Sequence, residues 1–178
     1  MKHLNHLIVM VAILGGQITR GSQPLAKPKS IQTIKPLVLD HNAWLKKADS
    51  DLLSAKKLIK FDNNTLDTAV YHTQQAAEKA LKAYLVRVKK DNARSHDLVE
   101  ILNANIKINP AFAQFCQCAY DLTPYATCHR YPGYACYYAD GKQCGLTRLE
   151  AIRSIQKAES LVKFVKEQIN LLELQPVG

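Results

Sequence analysis

The sequence predicts an all-α protein, an antiparallel bundle of four main helices plus a short helix. Three observations predict it: apolar residues recur at intervals of three and four along the long segments, no strand-like alternation runs through them, and glycine and proline gather between them. The chain has 178 residues, is 47% hydrophobic and holds seven glycines and seven prolines. That is enough for one domain with a substantial core, and the composition is that of a folded chain. A Rossmann or barrel enzyme would contradict most of the local patterns.

Helix by helix, the argument starts at "NAWLKKADSDLLSAKKLIKF". Trp44, Ala48, Leu52, Ala55 and Ile59 recur on one face, lysines stay on the other, Asn42 is the expected cap and "FDNN" the stop. A second helix is expected from about Asp67 to Val88, where Ala69, Ala76, Ala77, Ala80, Leu81, Tyr84, Leu85 and Val88 give a broad apolar surface. Its alanines admit a close neighbour, and Glu78 with Lys82 is expected to pair at i,i+4 on the exposed side. "SHDLVEIL" reads as a short helix capped by Ser95 and packed through Leu98, Ile101 and Leu102. "NPAFAQFCQCAYDL" starts cleanly, with Asn109 as cap and Pro110 in the first turn, and turns Phe112, Phe115, Cys116 and Ala119 inward. After a turn-rich stretch around Pro124, Pro132 and Gly133, Thr147 and Glu150 have capping-box spacing. Leu149, Ile152, Ala158, Val162, Val165, Ile169 and Leu172 then continue a buried face.

Residues 1–40 are expected to be a leader or flexible extension, and residues 41–175 the bundle. The leader carries five basic residues and one acidic one, +4 of the chain's net charge of +9. A mild basic excess suits RNA, nucleotides or an acidic partner, and it suits ordinary solubility equally. The apolar run Leu7 to Leu14 is too short to span a bilayer, so no stable membrane insertion is expected. It has the length of a signal's hydrophobic part, but no small-x-small site follows closely. The odd set of five cysteines, in a chain large enough to fold without staples, favours reduced thiols and a cytoplasmic location. Their spacing lacks paired C-x-x-C knuckles, and with His129 beside Cys128 as the only local imidazole no metal is expected. No cofactor is implied, since phosphate-loop and magnesium-binding patterns are missing.

In combination, "WLKKADSDLLSAKKLI", "YHTQQAAEKALKAYL", "SHDLVEIL", "LTPYATCHRYP" and "AIRSIQKAESLVKFVKEQI" resemble the HEPN domain family over most of residues 42 to 170. The resemblance implies an all-helical bundle, a homodimer, and a small nucleotidyltransferase protein as partner. Some members of that family resemble ribonuclease toxins of toxin–antitoxin pairs, with an Arg-x(4-6)-His motif completed across the dimer. Others lack the motif and act as binding or accessory modules.

None of the arginines here has a histidine after four to six intervening residues. A metal-independent ribonuclease needs imidazoles for proton transfer and a guanidinium for the developing phosphorane charge. For such a site the candidates left are His129, Arg130 and His72. His72, one turn before Ala76, is expected to face a helix–helix seam, and His96 to orient the start of its helix. Gln74, Gln75 and Glu78 offer hydrogen bonds without defining a reaction. Tyr125, His129, Arg130 and Tyr131 are the candidate ligand-binding set: tyrosines stack on bases and Arg130 meets phosphate, unless the same rings lock the turn onto the bundle. Three readings stand: a noncatalytic binding or accessory protein, a divergent metal-independent endoribonuclease, and a purely structural helical module.

Overall fold

The computed structural model describes residues 40–61, 63–89, 94–128 and 146–174. The chain divides into two units, Met1–Lys35 and Pro36–Gly178, and every described residue belongs to the second. Among the described residues there are five α-helices: α1 (His41–Leu58), α2 (Leu66–Lys89), α3 (Leu98–Ile106), α4 (Cys116–Leu122) and α5 (Arg148–Leu174). Short 3₁₀ segments at Asn63–Thr65, Pro110–Phe115 and Thr123–Ala126 join them. No described residue is in a strand.

The centre of the bundle is α2, which packs chiefly on α1 and α5 and also touches α3. Its alanines explain that position. Ala69, Ala76, Ala77, Ala80 and Ala83 are all fully buried and lie within an arc of about 120°, so a neighbouring backbone approaches closely on that side, while buried Leu81, Leu85 and Val86 cover other sides. Larger residues fill what remains: Phe112 lies 4.7 Å from the ring of Tyr84 and 5.1 Å, edge on, from that of Phe164. Such pairs contribute about 0.5 to 1.5 kcal/mol beyond their burial.

The helix ends follow local chemistry, with two changes from expectation. Asp40, rather than Asn42, caps α1, its carboxylate accepting from the Asn42 amide at 2.9 Å. Asp97, rather than Ser95, caps α3, accepting from Val99 at 2.7 Å. In both cases a carboxylate two residues away takes the helix's positive end, which its negative charge complements. Ser95 braces this cap, accepting from the Asp97 amide and donating to Glu100. Asn109 and Pro110 act as expected, although the first turn winds as 3₁₀ before α4 begins. At α5 the capping box is closed in both directions, Thr147 N to Glu150 Oε2 at 2.8 Å and Glu150 N to Thr147 Oγ1 at 3.2 Å.

The buried stripe of α5 runs Ala151, Ile155, Ala158, Val162, Val165, Ile169. Leu149 and Ile152 are off it, 55% and 39% exposed. At 100° per residue, Leu149 lies about 200° around the helix from Ala151, so steps of three and four from Leu149 trace the wrong face. Cys116 and Cys118 are free thiols, whereas Cys128 is disulfide-bonded, against the expectation of reduced thiols throughout. No helix among the described residues is long and apolar enough to cross a membrane.

Candidate functional site

Because α2 is surrounded, its polar residues have little solvent to face and bond one another instead. Two junctions result. At the first, against α1, Asp51 accepts from His72 Nδ1 at 2.9 Å and from the Lys79 ammonium. At the second, against the segment leading into α3, Glu78 meets Lys82 Nζ at 3.0 Å and His96 Nδ1 at 2.9 Å. Gln74 lies beside it, fully buried, its amide donating to Glu78 Oε2 at 3.2 Å and to the His96 carbonyl at 3.3 Å. Gln75 links the junctions, donating to Gln74 Oε1 at 2.8 Å and accepting from Lys79 Nζ at 3.1 Å. The network is continuous from α1 to the start of α3.

The expectation that Glu78 and Lys82 pair in water is therefore overturned. Each is only 3% exposed, so the charges interact in a low-dielectric seam and neither is dispensable alone. Lys82 gains a further partner, its ammonium lying 5.8 Å from the centroid of the Trp44 ring on α1, within cation–π range.

His72 is placed at the α1–α2 seam as its spacing implies, with its side chain 29% exposed. A carboxylate only accepts, so the His72 nitrogen facing Asp51 carries a proton. The same reasoning puts a proton on His96 Nδ1. The two imidazoles differ in access, since the side chain of His96 is 78% exposed. Among the described residues, neither His72 nor His96 has an arginine as a hydrogen-bond partner.

Tyr125 sits in the 3₁₀ turn after α4, half-buried and packed against the core, as its alternative role of locking that turn implies. His129, Arg130 and Tyr131 lie outside the described residues. Among the described residues no group of three or more His, Cys, Asp or Glu side chains is arranged to hold a metal ion.

Two open grooves are lined by other residues. One of about 480 Å³ runs between α1 and α5, lined by Leu52, Leu53 and Val162 and by the Asp49–Lys166 pair. The other, about 320 Å³, lies between α4 and α5 and includes Phe115, Cys118 and Arg153. Burial pushes the Cys118 thiol up to about 11, more than the nearby Lys157 charge lowers it. A thiol held neutral is a poor nucleophile.

Sequence reasoning missed Asp51 and Lys79 as site residues. The signal was present: Asp51 falls three residues after Ala48 and four before Ala55, in register with the buried face of α1. Counting only apolar positions on that face hid it.

The comparisons with known proteins agree with one another on the family and the fold. The HEPN domain family model matches residues 41–168, and no curated protein matches the chain. Among solved structures the chain is similar to ST0689, described as an archaeal HEPN homologue, with 29% identity over 73% of this chain and 98% of that one, at a TM-score of 0.56. It is also similar to TT1696 from Thermus thermophilus, with 25% identity over 71% of this chain and 96% of that one, at a TM-score of 0.57. A family match across most of the described bundle, carried by an all-helical fold with α2 at its centre, makes this chain a member of the HEPN domain family.

Proposed function

We propose that the chain is a noncatalytic HEPN binding or accessory protein that dimerises, associates with a small nucleotidyltransferase, and contacts a nucleotide or RNA through Tyr125, His129, Arg130 and Tyr131. One observation carries the noncatalytic part. The proton-transfer groups of α2 are consumed in holding the bundle together: His72 is tied to Asp51, and Glu78 to Lys82 and His96. With no histidine at the ribonuclease spacing after any arginine, the chain lacks the family's cleavage motif, and binding is the activity that remains. Aromatic rings beside Arg130 suit single-stranded nucleic acid, where bases stack and a guanidinium meets phosphate.

The test is co-expression of the full chain with a small nucleotidyltransferase protein, followed by size-exclusion chromatography with mass detection. A complex containing two copies of this chain is expected. A folded protein that elutes alone would remove the partner assignment.

A divergent endoribonuclease is the second reading, favoured by the His129–Arg130 pair. Cleavage lost on His129→Ala or Arg130→Ala in a folded protein would establish it over binding.

A further inference from the structure

Glu78 is almost completely buried, yet one of its partners is an imidazole that is 78% exposed. If the contact served packing alone, both halves would be covered, as they largely are for Asp51 and His72, 15% and 29% exposed. Holding Nδ1 on a fixed carboxylate sets the tautomer and the ring plane and leaves Nε2 facing solvent, the arrangement by which proteins orient a working histidine.

Two features around His96 say what Nε2 would meet. The Glu78 charge is already offset by Lys82 at 3.0 Å, so a proton gained by His96 adds net positive charge there. Arg94, two residues earlier, is exposed and makes no ion pair or hydrogen bond among the described residues. Ser95 and Asp97 both turn to the α3 terminus, bonding Glu100 and Val99. Arg94 and His96 are left exposed two residues apart in the same short segment before α3, with at most about 7 Å of backbone between them.

We propose that Arg94 and His96 form a phosphate-contact site, with Glu78 as its positioning residue, taking a phosphate group of a nucleotide or of an RNA backbone. The guanidinium supplies a planar fork of donors and the imidazole Nε2 a second, charge-assisted one. Only the ligand class rests on the proposed nucleotide or RNA binding. The residues are different from Tyr125, His129, Arg130 and Tyr131, and each set fails separately.

The experiment uses the full chain, labelled with ¹⁵N, and follows histidine ring resonances while inorganic phosphate is added, with His96→Asn giving the assignment. His96 is expected to show a protonated Nδ1 before addition and a selective shift of Nε2 during it. AMP and a fluorescein-labelled single-stranded RNA of mixed sequence are then titrated against parent, His96→Ala and Arg94→Ala. Both side chains are exposed, so the variants are expected to fold, as circular dichroism will show, and each to bind about tenfold more weakly. Loss with AMP identifies a mononucleotide site, and loss with RNA alone a backbone site. Arg130→Ala is expected to leave the phosphate response of His96 intact even where it weakens RNA binding. His96 resonances that ignore phosphate, or variants that bind both probes as the parent does, would overturn the proposal.

Discussion

The two junctions on α2 use the same ingredients, a carboxylate, a lysine and a histidine, and differ in enclosure. At the α1 junction Asp51, Lys79 and His72 are 15%, 22% and 29% exposed, and water reaches all three. At the α3 junction Glu78 and Lys82 are both 4% exposed at the side chain while His96 is open at 78%. Burial makes a lost partner costly, because the remaining charge has no solvent to return to. The first junction is therefore a seam that stiffens the contact between two long helices. The second combines a sealed ion pair with a displayed imidazole.

The largest effect should come from breaking the sealed pair. Glu78→Ala leaves the Lys82 ammonium buried without its carboxylate, and urea unfolding should show a loss of about 3 to 5 kcal/mol. Replacing both, Glu78→Leu with Lys82→Met, should recover most of it, since an apolar pair of similar volume avoids the desolvation cost. A double variant as unstable as the single one would mean that His96 and Gln74, rather than Lys82, dominate the energy of Glu78.

Cys118 extends the same rule to a single titrating group. Its thiol is raised from about 9 to about 11 by burial, so between those values the unfolded chain has released a proton that the folded chain keeps. Stability from this group is complete below about pH 9 and is lost as pH rises through about 11, to a total of about 3 kcal/mol. Unfolding of the parent and of Cys118→Ala should therefore diverge in slope over that window. Parallel curves would show that the thiol is as accessible to solvent when folded as when unfolded.

Asp51→Asn sharpens the contrast at the open junction. Water replaces part of what is lost, and the expected cost is about 1 to 2 kcal/mol, clearly less than for Glu78→Ala. Equal costs would erase the distinction between the junctions. The floor of the scale is Lys163→Ala, whose partner Glu167 is 3.9 Å away with both side chains more than half exposed. No more than about 0.5 kcal/mol is expected from it.

Much of the bundle is legible in the sequence because helix signals are local. Asn109–Pro110 and Thr147–Glu150 mark helix starts by chemistry confined to one turn, and the alanines of α2 announce close packing wherever they point. The caps at Asp40 and Asp97 are harder, since Asn42 and Ser95 are equally good residues two positions away and only the fold chooses between them. The site is less legible still. Glu78 and Lys82 have the spacing of an ordinary surface pair, and their burial depends on α1 and the approach to α3 both covering one side of α2, a long-range fact. A cue existed in α2 itself: with Leu81, Leu85 and Val86 apolar outside the arc of its alanines, no wide solvent face is left for its charges. Leu149 and Ile152 show the converse error, apolar residues assigned to a buried stripe that passes them on the other side.

The central claim is that this HEPN chain binds without cutting, the one histidine of α2, His72, being tied to Asp51 in the bundle. The most direct measurement is mass-resolved analysis of a mixed RNA panel incubated in EDTA with the purified full chain, with folding verified on the same sample. Intact RNA at every incubation time is the predicted result. Fragments that appear with the parent and disappear with folded His129→Ala, Arg130→Ala or His72→Ala would contradict it and make the chain a ribonuclease.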